Sequence, residues 1–284
     1  MREQLAEIWR FRDLLQQLVA REIKVRYKKS VFGFLWSIIP VCLQVVVFTF
    51  FVKAASGETT NNSAYLLCGL ITWTFFSTTL LDSGQTLLVN YPILKKVYLP
   101  REVFPLTCAL SNFIHFLMGW AVYFSLFFVI LRFIPNMGVP ILPTLVFFPL
   151  ITLVLLLLVI GLSLWMSILS LFYDDIRFIV QTFMNLLMFV LPVIIPADVF
   201  RNKVPFKGHD WLFQIYMMNP ITAIIEAYRK TILQPLPAKT FGLVDKPLPM
   251  NWFTFGGATV ITLLILISGL AYFNHRKWEI VERW

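Results

Sequence analysis

The side chains that could do chemistry are few in this chain and lie far apart. Asp174 and Asp175 form the one adjacent acid pair, with Arg177 two positions on. A membrane lipid-phosphate transferase needs several acids gathered at one place to hold octahedral Mg²⁺, and no second acidic cluster accompanies this pair. Apart from Asp82 and His115 the apolar runs are nearly free of ionisable residues, where proton- or sodium-driven transport would need such groups inside the bilayer. Asp82 has Gln85 within one turn or water at the inner end of its run as candidate partners, and a helix-packing role is the plainer alternative for His115. Cys42, Cys68 and Cys108 sit in apolar surroundings without C-x-x-C spacing, which suits packing rather than metal binding or disulfides. No G-x-x-x-x-G-K-[ST] occurs, so the chain lacks the backbone cradle and lysine that hold nucleotide phosphates. The cations Arg26, Lys28 and Lys29 could hold a phosphate through charge-assisted hydrogen bonds, or attract anionic headgroups of the membrane.

The elements that must position these residues are membrane spans. Hydrophobic residues make up 58% of the chain and charged residues 14%, against roughly 25% charged in an average soluble domain. Mean hydropathy is +0.77, which leaves little for a soluble catalytic domain. Apolar runs at 32–52, 64–88, 103–131, 141–172, 176–195 and 252–273 predict six spans, the first about 21 residues long and sufficient for a hydrocarbon core of about 30 Å. Asp174 or Asp175 is expected to cap the helix that follows the tight turn between the fourth and fifth. Eight cations precede the first span, three lie in 90–102 and three follow residue 273, whereas the short loops on the other side carry only Lys53 and Arg132. That bias puts both termini in the cytoplasm. The mixed, charged first 30 residues do not match a cleavable signal.

Three segments outside the spans have their own patterns. Residues 1–31 read as a cytoplasmic amphipathic helix on the membrane face, with Phe11, Leu14, Leu15, Leu18 and Val25 on one stripe, interrupted by Glu22. The loop at about 90–102 is bracketed by Pro92 and Pro100, and its Ile93, Leu94, Val97, Tyr98 and Leu99 suggest a face offered to another protein. From Asn219 and Pro220, a good N-cap and a good first helical residue, a helix is predicted with Ile221, Ile224, Ile225, Tyr228 and Ile232 on one face. Glu226 stands three and four residues before Arg229 and Lys230 on the other, where Glu226→Cys would be reachable by an impermeant thiol reagent. Phe32 and Trp36 enter span one from the inner side, as interfacial anchors or as contacts for a sugar polymer.

Four collinear motifs, RExxxRYKKSxxGFLWSxxxP from Arg21, ILKKVYLPREVFPL from Ile93, FYDDIRF from Phe172 leading to LPVIIP, and MNPITAIIEAYRKTIL from Met218, carry a resemblance across nearly the whole chain. The chain resembles the membrane subunit of bacterial polysaccharide and polyol-phosphate ABC exporters, nearest to wall teichoic acid permeases, with O-antigen and capsule permeases behind them. The resemblance implies an all-α integral membrane protein with a six-helix domain over 32–273 and a cytoplasmic tail over 274–284. It implies a homodimer bound to two separate P-loop ATPase subunits, which would hold ATP and Mg, with no cofactor on this chain and no nucleic-acid partner. The cargo would be a polyprenyl pyrophosphate-linked polymer moved from the inner to the outer leaflet of the cell membrane. Coupling to the ATPase would fall to the N-terminal helix, Glu22 included, and to Ile93, Lys95, Lys96, Tyr98 and Arg101. Arg26, Lys28, Lys29, Phe32 and Trp36 would meet the lipid-linked headgroup. Short re-entrant helices over 197–233 would form an outer gate, with Asn219, Pro220, Glu226, Tyr228 and Arg229. Asp174 stands where relatives usually carry Arg, so a salt bridge from that Arg is not carried over.

Overall fold

A computed structural model describes residues 10–28, 39–44, 46–47, 50, 61–94, 99–133, 143–195, 197, 206, 209–232, 250–277 and 279. The elements among these residues are all helical: α1 (Arg12–Arg26), α2 (Asn61–Val89), a short α3 (Tyr91–Leu94), α4 (Val103–Phe133), a 3-10 turn (Pro143–Phe147) that runs into α5 (Phe148–Phe172), α6 (Ile176–Val190), α7 (Asp210–Met218), α8 (Pro220–Ile232) and α9 (Trp252–Arg276). Four stretches among the described residues are long and apolar enough to cross a membrane: Tyr65–Val89, Val103–Ser125, Thr144–Phe172 and Trp252–Arg276. They fall on the second, third, fourth and sixth expected spans. Most of the first, 32–52, lies outside the described residues, of which 39–44 are helical.

Where the fifth span is expected, the helix is shorter than its apolar run. α6 has 15 residues, a rise of about 22 Å against a hydrocarbon core of about 30 Å. Its end is set by Pro192, whose ring pushes the preceding residue out of the helical region; Leu191 is extended at φ −83°, ψ 157°. At the start of α6 the expected carboxylate cap is absent. Asp175 occupies the N-cap position in the helical region, at φ −76° and ψ −19°, and makes no side-chain cap bond. An N-cap aims its oxygen at the first free N–H groups from an extended backbone, and the tight turn from Tyr173 does not allow one. Asn251 does cap α9, its side chain accepting from Phe253 N and Thr254 N at 3.1 and 3.3 Å.

α5 is the hub, packed against α9, α2, α4 and α8. Lipid gives helices no hydrophobic reason to associate, so close backbone approach has to supply the attraction. Gly161 and Gly269 allow it between α5 and α9. A Cβ on Gly269 would stand 2.5 Å from the Gly161 carbonyl oxygen, and one on Gly161 would stand 2.8 Å from the Leu266 Cα. Hydroxyls in the spans turn back on their own helix: Thr78, Thr79 and Ser83 donate to carbonyls three or four residues earlier at 2.6 to 2.8 Å. These hydroxyls of α2 are therefore satisfied within the helix.

Gly161→Ala and Gly269→Ala are expected to force α9 away from α5 and to destabilise the protein by about 1–3 kcal/mol, the usual cost of overpacking. Gly256→Ala, where a Cβ meets nothing within 4 Å, is the control and should leave stability unchanged. Thermal unfolding of the three variants in one detergent decides the matter; equal stability of all three would refute the close contact.

Candidate functional site

Charged side chains gather at the two opposite ends of this bundle. At the end holding α1, Arg26 reaches inward across the start of α4. Its Nη1 donates to Asn112 Oδ1 at 2.8 Å and its Nη2 to Asp82 Oδ2 at 3.2 Å, while Asn112 Nδ2 donates to the same carboxylate oxygen at 3.0 Å. The three groups tie α1, α2 and α4 together. Tyr27 sets its ring 5.3 Å from His115, whose ring nitrogen Nδ1 donates to the Ser111 carbonyl at 2.8 Å. Glu22 lies beside Ser111, where burial pushes its carboxyl above the ordinary range against the opposing pull of Arg26. Gln85 faces the Arg177 guanidinium rather than Asp82.

The stripe read in the sequence of α1 holds for Phe11, Leu14, Leu15 and Leu18, which are half-buried, and departs from the structure at its last member. Val25, expected on the apolar face, is 62% exposed, and Val19, which that stripe omits, is buried. Val19 and Glu22 share a side of the helix with Arg26, which is tied to Asp82 and Asn112. Glu22 thus interrupts the apolar side because it faces the protein. Arg26 parts company with Lys28, which is exposed at the end of α1. Arg101 lies in the turn that opens α4, where Val103 N and Phe104 N donate back to Pro100 and Arg101 carbonyls at 3.1 and 3.3 Å. Ile93 belongs to α3 by its backbone; Lys95, Lys96, Tyr98, Lys29, Phe32 and Trp36 lie outside the described residues.

At the opposite end α8 is enclosed. Asn219 caps it as its sequence predicts, accepting from Ile221 N at 3.2 Å, with Pro220 at its start. Ile221, Ile224, Ile225, Tyr228 and Ile232 are all buried, but so are Glu226 at 1% exposure and Arg229 at 0%. The expected outward face of α8 is therefore absent, and Glu226 is no target for an outside reagent. Arg229 Nε donates to the Tyr65 carbonyl at 3.2 Å, Nη1 to the Pro192 carbonyl and to Glu226 Oε1 at 3.0 Å, and Nη2 to the Val193 carbonyl. Glu226 Oε1 also accepts from Ala197 N at 3.1 Å, and Oε2 faces Lys230 Nζ at 3.9 Å. Tyr228 shares a hydrogen bond of 2.8 Å with Thr152 and packs 5.0 Å from Trp120. Gly69 was not singled out in the sequence, although a Cβ there would stand 2.5 Å from both Arg229 Nη2 and the Val193 oxygen. A glycine inside an apolar helical run was the available signal.

Asp174 and Asp175 are exposed, and among the described residues no three His, Cys, Asp or Glu side chains gather as metal ligands. What the geometry defines is a multi-pass helical membrane protein with a fixed ionic junction at each end. The chain belongs to the ABC-2 type transporter family, which it matches over residues 13–233, a range that contains both junctions. It is 27% identical to a protein of Klebsiella pneumoniae named O-antigen export system permease protein RfbA, over 95% of this chain and 94% of that one. A second Klebsiella pneumoniae protein of the same name is 26% identical over the same shares. One from Myxococcus xanthus, again of that name, is 24% identical over 78% of this chain and 81% of its own.

Arg229→Leu should leave Glu226 a buried carboxylate without its nearest cation and strand three carbonyls, at a cost of about 3–5 kcal/mol. The double variant Arg229→Leu with Glu226→Leu should recover part of that loss, because no unpaired charge remains. Unfolding midpoints in detergent measure both; a single variant as stable as the parent would contradict the burial of the pair.

Proposed function

We propose that this chain is the transmembrane subunit of an ATP-driven exporter that moves a lipid-linked cell-surface polysaccharide across the cell membrane. The observation that carries this reading is the end-to-end likeness to two proteins named as O-antigen export permeases, over 94% of their length. The absence of a P-loop from the sequence supports it from the other side, since ATP then has to be bound by separate subunits. All three relatives carry the O-antigen name, so the polymer proposed is of O-antigen type in place of the wall teichoic acid first favoured from sequence. A second copy of the chain, two ATPase subunits that supply ATP and Mg, and a polyprenyl pyrophosphate carrier complete the proposed assembly. Both termini are assigned to the cytoplasm by the cation bias of the loops. In this reading the α1 end, with Glu22, and the loop from Ile93 through Lys95, Lys96 and Tyr98 to Arg101 meet the ATPase. The α8 end, with Asn219, Pro220, Glu226, Tyr228 and Arg229, acts as an outer gate anchored from within the protein.

The purified chain alone should neither bind nor hydrolyse ATP, and should copurify with an ATPase subunit in equal number. Replacing Lys95, Lys96 and Arg101 together by alanine should leave insertion intact while lowering recovery of the ATPase and polymer export. Nucleotide turnover by the isolated chain at the rate of the complex would overturn the exporter reading. Normal assembly and export in the triple variant would remove the loop from the coupling surface.

A further inference from the structure

Two cavities meet at the Arg26–Asp82 ion pair. On the α1 side lies a cleft of about 280 Å³ that sets Arg21, Glu22, Gln85, Thr86, Asn90 and Thr107 beside apolar side chains. From the same pair an apolar groove of about 630 Å³ runs between the helical residues 39–44, α2 and α4, with Leu67, Ile71, Phe75, Phe116, Gly119 and Val122 in its walls. Arg26 and Asp82 line both cavities, and their side chains are 37% and 43% exposed, so the pair divides the space without sealing it. A half-exposed carboxylate and guanidinium within the reach of lipid chains are unusual unless something polar stands against them.

The two spaces differ in what they accept. Along α2 the groove extends from Leu67 to Asp82, about 22 Å of helix rise, more than the depth of one leaflet of a core of about 30 Å. It therefore suits a hydrocarbon chain of the adjoining leaflet. The cleft is lined by two guanidiniums, that of Arg21 and that of Arg26, which spends two of its five N–H groups on Asp82 and Asn112, with neutral donors beside them. Burial raises the Glu22 carboxyl, which weakens one of the two acids that would otherwise cancel those cations. Such a donor set recognises phosphate, which takes several charge-assisted hydrogen bonds at once. A cleft of this size holds a phosphate with a small alcohol and is too small for a pyrophosphate carrying several sugars.

We propose that the cleft and groove together hold a resident phospholipid of the surrounding bilayer, its phosphate against Arg21 and Arg26 and one chain along α2 and α4. The bound lipid fills the space between α1 and the spans, so that the N-terminal helix docks on protein and lipid jointly. Nothing in this assignment depends on export, and its test does not measure export.

The full chain, purified in mild detergent, is mixed with phosphatidylglycerol or with diacylglycerol of the same acyl chains, and retained lipid is counted by native mass spectrometry. Phosphatidylglycerol should be retained and diacylglycerol lost. Arg21→Gln should lower retention about tenfold, the equivalent of one charge-assisted hydrogen bond. Gly119→Leu should lower it comparably by filling the groove while the phosphate contacts stay in place; a Cβ at Gly119 stands 3.4 Å from Ile71, an ordinary contact. Equal retention of the two lipids by the unaltered chain, or retention of neither, would overturn the proposal. Displacement of phosphatidylglycerol by an equal concentration of polyprenyl phosphate would assign the site to a polymer carrier and overturn the resident-lipid assignment.

Discussion

A backbone that stops being helical at membrane depth leaves carbonyls that lipid cannot satisfy, and each one left bare costs several kcal/mol. This chain meets that problem at Leu191, where Pro192 ends the apolar helix α6 after 15 residues, about 8 Å less than a hydrocarbon core of about 30 Å. Arg229 answers it. Its guanidinium donates to the Pro192 and Val193 carbonyls, and to that of Tyr65 near the start of α2, while Glu226 supplies the opposite charge and takes the Ala197 N–H. The pair is affordable in a dry interior only because nearly every donor and acceptor is used. Much else at this end follows from it: α8 must lie inside the bundle to bring Arg229 within reach, and Gly69 must lack a side chain to leave room.

The α1 end solves a different problem with similar parts. α1 carries too many polar residues to enter lipid, yet it must hold a fixed place against the spans. Arg26 provides that place by joining Asp82 of α2 to Asn112 of α4. This pair stays part-exposed, unlike Arg229 and Glu226, so it is weaker by screening and open to exchange with water or a headgroup. Between the two ends α5 and α9 close against each other through Gly161 and Gly269, which makes the middle of the bundle the stiff member. The α8 end is thus fastened by buried groups, while α1 is held by a part-exposed pair.

Local signals were legible in the sequence and long-range pairs were not. Hydropathy located α2, α4, α5 and α9, because a lipid-crossing helix announces itself over some twenty residues. Asn219 and Pro220 marked the start of α8, because a cap is decided by neighbours. The face of α8 bearing Glu226 and Arg229 looked solvated, since an acid and a base three residues apart usually are. Their burial depends on carbonyls 36, 37 and 164 residues away, which no helical period encodes. The same holds for Arg26, whose partners lie 56 and 86 residues on, and beside it Val25 is exposed and Val19 buried. Asp175 misled for a local reason: its residue type suits a cap but its backbone does not.

The central claim is that Arg229 and Glu226 hold the turn after α6 in place of helical hydrogen bonds. Amide hydrogen exchange of the peptide spanning residues 191–197, in the chain embedded in lipid, tests it most directly. The Ala197 amide, bonded to Glu226, should exchange as slowly as those of the α5 core, and Arg229→Lys, which cannot reach several carbonyls at once, should release the whole peptide to fast exchange. Fast exchange of Ala197 in the unaltered chain, or unchanged protection in Arg229→Lys, would contradict the account.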